Sequence, residues 1–151
     1  MVKPVYFSLG SNQGDRKENL EKALAMMQEA FGVPYTRCSD IIETQSWGFD
    51  SDPFLNCAVL FEIDAPDPYR ILDQCKSIER ALGRTECAQY DQEGKRIYKA
   101  RPIDIDILFV GNDRISSPEL TIPHPLVFKR DFVLIPLRQI AEGELKERLL
   151  I

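Results

Sequence analysis

The sequence predicts an α+β sandwich built on a split βαβ unit, with an antiparallel sheet, helices mainly on one face and short helices at the C-terminal end. Three observations predict it. Strand-length apolar runs and longer stretches at helical spacing follow one another as strand, helix, strand, strand, helix, strand. Each helical stretch opens on an aspartate that can cap it and stops at a glycine. At 151 residues, 44% hydrophobic and 28% charged, the chain suits one domain over residues 1–151, large enough to bury a core without a disulfide or metal staple.

Residues 5–9 are apolar and run into Gly10-Ser11-Asn12-Gln13-Gly14, which reads as a first strand ending in a tight loop. Asp15 and Glu18 then form a capping-box pattern ahead of Leu20, Ala23, Leu24, Met27, Ala30 and Phe31, and Gly32 with Pro34 ends that helix. Residues 35–44 read as a strand interrupted at Cys38-Ser39-Asp40. A polar loop over residues 45–53 precedes a strand over 54–63. Asp67-Pro68 is an N-cap with proline at the first helical position; Ile71, Leu72, Cys75, Ile78 and Leu82 supply the buried stripe and Gly83 the stop. Residues 84–100 are polar and without a period, too long for an idle connection, and are expected to act as a lid. A strand over 103–110 ends at Gly111-Asn112, whose tight turn should feed a short strand near residues 114–116. Pro118, Pro123 and Pro125 make the next stretch rigid and loop-like, and two short helices are expected after Lys129. This order is the ferredoxin-like arrangement, which by itself decides no function.

The net charge of −5 argues against a nucleic-acid binder that neutralises many phosphates. Locally the balance reverses. Between Arg84 and Arg101, five basic residues (Arg84, Lys95, Arg96, Lys99, Arg101) face three acidic ones (Glu86, Asp91, Glu93), a net of +2 that suits a small polyanion. Cys38, Cys57, Cys75 and Cys87 match neither a zinc spacing nor a CxxC motif and are read as reduced thiols. The N-terminus has too short an apolar stretch for a signal peptide, and no later one approaches a membrane span. A cytoplasmic protein with no membrane or nucleic-acid partner, acting as a monomer, is the expectation.

Chemistry is concentrated in Arg101-Pro-Ile-Asp104-Ile-Asp106-Ile-Leu. Residues i and i+2 of a strand share a face, so the two carboxylates should stand roughly 7 Å apart, with Ile103, Ile105 and Ile107 filling the other face. At that separation their repulsion is about 2 kcal/mol at an effective dielectric of 20, which calls for a cation. Oxygen-only ligands favour a hard ion such as Mg²⁺, completed by water and substrate phosphates. An ordinary polar strand face with solvated aspartates is the competing reading.

Other signals are weaker. The Gly10–Gly14 loop lacks the spacing and lysine of a phosphate loop and reads as a turn. Trp47 and Phe54 flank a loop and either stack on a flat ring or cap the core. Asn56 lies inside an apolar strand, where a buried amide must be paired and can present donor and acceptor to a heterocycle edge. His124 is the single histidine, held in Ile-Pro-His-Pro; with Arg130 it is a candidate phosphate contact or a structural hydrogen-bonder.

Taken together, Ser-Leu-Gly-Ser-Asn12, Phe-Leu-Asn56, Ile-Glu-Arg-Ala-Leu-Gly-Arg84, Arg-Pro-Ile-Asp-Ile-Asp106-Ile-Leu and Ile-Pro-His124 resemble the 6-hydroxymethyl-7,8-dihydropterin pyrophosphokinase family over nearly the whole chain. The resemblance implies a folate-biosynthesis enzyme that moves the β,γ-pyrophosphoryl group of ATP onto a reduced pterin and releases AMP, using two Mg²⁺ ions. It implies that Asp104 and Asp106 hold the metal and that Arg84 and Arg101 clamp the phosphates. His124 and Arg130 become further ATP contacts, with Glu79 and Thr121 near the nucleoside and Ile107 in the same set. Thr44 and Asn56 would read the pterin edge, Phe54 and Phe132 would sandwich the ring, and Trp47 and Tyr98 would complete that pocket.

The chain departs from the family's usual pattern in three places. In the pterin loop, Gln45-Ser46-Trp47-Gly48 stands where a proline-containing version is common. Tyr98-Lys99-Ala100-Arg101 stands where Trp-Gly-Pro-Arg is common, and Glu86 stands where a second arginine is common. Two other functions remain open on the sequence alone. A metal-dependent nucleotidyl transferase would release pyrophosphate instead of AMP, and a ligand-binding module would turn nothing over.

Overall fold

The computed structural model describes residues 1–44, 53–83, 89–90, 92–93, 96–97 and 102–149. Strand β1 (Val2–Ser11) leads into helix α1 (Arg16–Phe31), whose first turn is closed by the Asp15 carboxylate accepting the Glu18 N–H at 3.0 Å. Gly32 ends it at φ 73°, the left-handed cap that costs glycine least. The expected interrupted strand is two short ones, β2 (Arg37–Cys38) and β3 (Ile42–Thr44), both paired with β4 (Phe54–Asp64). Between them the Ser39 hydroxyl accepts the Ala58 N–H at 2.8 Å, so a side chain fills a rung that the backbone leaves out.

Helix α2 (Pro68–Ala81) begins as expected, with the Asp67 carboxylate accepting from the Tyr69 and Arg70 amides. A small hairpin, β5 (Gln89–Tyr90) with β6 (Arg96–Ile97), lies within the polar stretch in which no period was legible. The rest of the expected lid, including Arg84, Tyr98 and Arg101, falls outside the described residues, as does Trp47. Strand β7 (Asp104–Val110) ends at the Gly111 turn, and β8 (Ile115–Ser116) pairs with β9 (Thr121–Ile122). Helices α3 (Asp131–Ile140) and α4 (Gly143–Arg148) follow.

The main sheet has the order β2-β4-β1-β7, with β3 also beside β4, and every pair is antiparallel. This is the predicted split βαβ arrangement. On one face Val5, Phe7, Leu9, Cys57, Val59, Phe61, Ile103, Ile105 and Ile107 pack against Leu20, Ala23 and Met27 of α1 and Ile71, Cys75 and Ile78 of α2. The three isoleucines therefore do what alternation requires of them.

The second face is not left wholly open. A second core joins Tyr6, Ala58, Leu60, Leu108 and Phe109 to Val133, Leu134, Leu137 and Ile140 of α3. A bulge makes this possible: Tyr6 pairs with Phe109 but Phe7 with Ile107, so Leu108 is an extra residue. Leu108 and Phe109 both enter the second core, whereas Val110 returns to the first. The C-terminal helices thus roof one end of the face and leave the other, where the aspartates stand, uncovered by that core.

Candidate active site

The uncovered end is laid out in rows by the pairing of β4, β1 and β7. Asn56 pairs with Gly10 and Gly10 with Asp104; one step along, Ala58 pairs with Ser8 and Ser8 with Asp106. A carboxamide on β4 and two carboxylates on β7 therefore flank two small residues of β1. Asp104 and Asp106 are part-exposed, on the face opposite Ile103, Ile105 and Ile107. Among the described residues no cluster of three or more His, Cys, Asp or Glu could form an all-protein metal cage. Two part-exposed oxygen ligands instead fit an ion that keeps water and substrate oxygens in its shell.

Asn56 is 3% exposed, and its Nδ2 donates to the Thr44 hydroxyl at 2.7 Å. A carbon added at Gly10 would come within 2.9 Å of Asn56 Oδ1 and 3.4 Å of Phe54 Cδ1. Thr44, Phe54 and Asn56 are thus one contiguous group resting against Gly10. The sequence reading missed the role of Gly10, treating it as part of a turn. The signal was a glycine at the end of an apolar strand, which marks a close approach as readily as a bend.

The outer edge of β7 is dressed by two elements. The Glu79 carboxylate of α2, 5% exposed, accepts the Ile105 N–H at 2.9 Å, and the His124 N–H donates to the Leu108 carbonyl at 3.0 Å. His124 Nδ1 accepts the Leu126 N–H at 3.2 Å, so the neutral ring carries its proton on Nε2. Burial, with the Arg130 guanidinium second, holds the imidazole below its ordinary range; Asp104 opposes them. The histidine is thus in electrostatic reach of both Asp104 and Arg130. Arg130 lies over the Phe132 ring, 5.5 Å from its centroid, and Phe132 packs partly against the second core at the start of α3.

Of the remaining expected site residues, Thr121 is exposed on β9. The Ile107 side chain is buried in the first core, so only its main chain, on the outermost strand, is left for a nucleotide contact. Arg84, Arg101, Trp47 and Tyr98 lie outside the described residues. A shallow depression of about 530 Å³ between α1 and α2, lined in part by Arg70, Asp73 and Gln74, is on the opposite side of the sheet from the aspartates.

A ferredoxin-like sandwich with paired carboxylates and a buried carboxamide on the part of the sheet outside the second core defines a class, the small α+β domains that carry a polar site on the sheet. Comparison with known proteins narrows it. Residues 6–142 match the sequence profile of the family described as 7,8-dihydro-6-hydroxymethylpterin-pyrophosphokinase. A Porphyromonas gingivalis 2-amino-4-hydroxy-6-hydroxymethyldihydropteridine pyrophosphokinase is 45% identical over 139 residues, which is 91% of this chain and 90% of that protein. The Bacillus subtilis protein of the same name is 36% identical over 94% of this chain and 80% of its own length. An Arabidopsis thaliana folate synthesis bifunctional protein is 40% identical over 88% of this chain and 26% of its own. In three dimensions the chain resembles an HPPK-DHPS protein crystallised with substrates, with a TM-score of 0.65 at 16% identity, covering 93% of this chain and 40% of that one. That likeness speaks for the fold. The chain belongs to the 7,8-dihydro-6-hydroxymethylpterin-pyrophosphokinase family.

Proposed function

We propose that the protein transfers the β,γ-pyrophosphoryl group of ATP to the hydroxymethyl oxygen of a reduced 6-hydroxymethylpterin, yielding the pterin diphosphate and AMP. Family membership supports the activity. The observation that carries the site is the Asn56, Gly10, Asp104 row, which sets an amide suited to a heterocycle edge two strands from carboxylates suited to a metal-bound phosphate chain.

In this reading the pterin edge is read by Asn56 and Thr44, whose mutual hydrogen bond fixes which amide atoms remain for the ligand. Phe54 and Phe132 stack on the ring, and Trp47 and Tyr98 close the pocket. Asp104 and Asp106 would hold Mg²⁺, two ions in all. The ions, when bound, neutralise the triphosphate and polarise the reacting oxygens. Neutral His124 donates from Nε2 to a phosphate oxygen, Arg130 adds charge, and Arg84 and Arg101 clamp the chain. Ile107 and Thr121 lie toward the nucleoside.

The hydroxymethyl oxygen forms a bond to the β-phosphorus as the bond to the α-phosphate oxygen breaks, and AMP leaves. The hydroxyl proton passes to solvent or to one of the aspartates. Little covalent chemistry falls to the protein, so catalysis is positioning and charge neutralisation.

The test is product identity. ATP, Mg²⁺ and the reduced pterin should give AMP and a pterin diphosphate in equal amounts, and only with the metal present. Release of inorganic pyrophosphate would instead identify a nucleotidyl transferase and overturn the reading.

A further inference from the structure

Glu79 occupies an unfavourable place. It follows Ile78 on the buried side of α2, in the stripe of Ile71, Cys75 and Ile78, where an apolar side chain would suit the core. A carboxylate is almost never this deeply buried unless paired. It also lies in the last turn of α2, where the helix dipole disfavours negative charge. From there it accepts the Ile105 N–H at 2.9 Å.

That amide is a singular one. Among the described residues β7 ends the sheet on its side, so the outward-pointing amide has no neighbouring strand. Ile105 is also the residue between Asp104 and Asp106. Holding its N–H fixes the peptide between Asp104 and Ile105, which orients the Asp104 Cα–Cβ bond directly and, through the Ile105 α-carbon, the run of the strand into Asp106. Cys75, one turn before Glu79 on α2, packs in the same core as Ile105, so this part of the helix lies against the strand between the aspartates.

We infer that Glu79 is a positioning residue for the metal-binding pair: by tethering the Ile105 amide it sets the spacing at which Asp104 and Asp106 together take a magnesium-bound nucleotide, without touching the nucleoside. The inference deepens the function proposed above and rests on it. It differs from the role the family resemblance implies for Glu79.

The test compares Glu79→Gln, which keeps an acceptor oxygen, with Glu79→Leu, which removes it. A nonhydrolysable ATP analogue is titrated calorimetrically with and without Mg²⁺, and exchange of the Ile105 amide is followed by NMR. Glu79→Leu should weaken the Mg²⁺-dependent part of nucleotide binding roughly ten- to a hundredfold, the scale of one lost charge-assisted hydrogen bond, and speed Ile105 exchange. Pterin KM should stay near that of the unaltered protein, and Glu79→Gln should recover most of both readouts.

Equal weakening with and without Mg²⁺ at unchanged Ile105 exchange would overturn the inference and restore a direct nucleoside contact. So would a Glu79→Gln protein as impaired as Glu79→Leu. Should Glu79→Leu not fold, Glu79→Asp, one methylene shorter, takes its place, with the same two readouts expected to move together. If the unaltered protein showed no Mg²⁺-dependent binding, the proposed function itself would fall; if it did and Glu79→Leu matched it, only the role of Glu79 would.

Discussion

Replacing Gly10 with alanine probes the site through a single methyl group. Gly10 has no left-handed φ, so backbone strain is not at issue and the effect is one of space. The new carbon would lie 2.9 Å from Asn56 Oδ1 and 3.4 Å from Phe54 Cδ1. The first distance is too short to persist, and Asn56, 3% exposed, has little room to retreat. The simplest relief is to turn the amide, which breaks the 2.7 Å bond from Nδ2 to Thr44 and strands a buried donor. That costs about 1–3 kcal/mol. Charged to pterin binding, it is roughly a five- to 150-fold rise in pterin Kd. Calorimetry with the pterin, and separately with Mg²⁺ and an ATP analogue, reads this directly, while a melting curve reports the fall in Tm. Thr44→Val, which adds no bulk, should reproduce part of the pterin defect. The reasoning fails if pterin affinity is unchanged while Tm falls, or if both ligands weaken equally, because the damage would then not be local to Asn56.

Replacing Asp104 or Asp106 by asparagine should lower kcat by about a hundredfold or more, on the scale of losing a preorganised electrostatic contact. Near-normal turnover of either variant at saturating Mg²⁺ would contradict the assignment. The His124 resonance should titrate below the ordinary histidine midpoint of about 6.5, because burial and Arg130 outweigh Asp104. With the folded pKa depressed, the unfolded chain takes up the proton first. Stability is therefore full above the unfolded pKa and declines as pH falls toward the folded one, and His124→Gln should flatten the melting temperature over that window. Among Cys38, Cys57 and Cys75, iodoacetamide at pH 8 should modify Cys38 first. Its thiol is lowered chiefly by the hydrogen bond with Cys57, whereas that bond and burial raise Cys57, and burial above all raises Cys75. Peptide mapping by mass spectrometry would show the order.

The parts of the fold legible in the sequence are those set by neighbours along the chain. Asp15 and Asp67 cap their helices because a carboxylate reaches amides two or three residues ahead, whatever the tertiary context. The break at Ser39 showed as polar residues in an apolar run, and Ile103, Ile105 and Ile107 reached the core by simple alternation. The hairpin of β5 and β6 was not legible, since two-residue strands carry no period.

By itself, then, the sequence determined the order of the long strands and helices, the shared face of Asp104 and Asp106, and the family, because alternation, caps and motif spacing are properties of short stretches. Tertiary structure alone decided that α3 roofs half of the second face, that a bulge at Leu108 sends two neighbours into one core, that Gly10 lies against Asn56, and that Glu79 of α2 grips the strand between the aspartates. These depend on register between strands and on which helix covers which face. Pairings between distant residues are set by the summed burial of the whole chain, which no local pattern encodes.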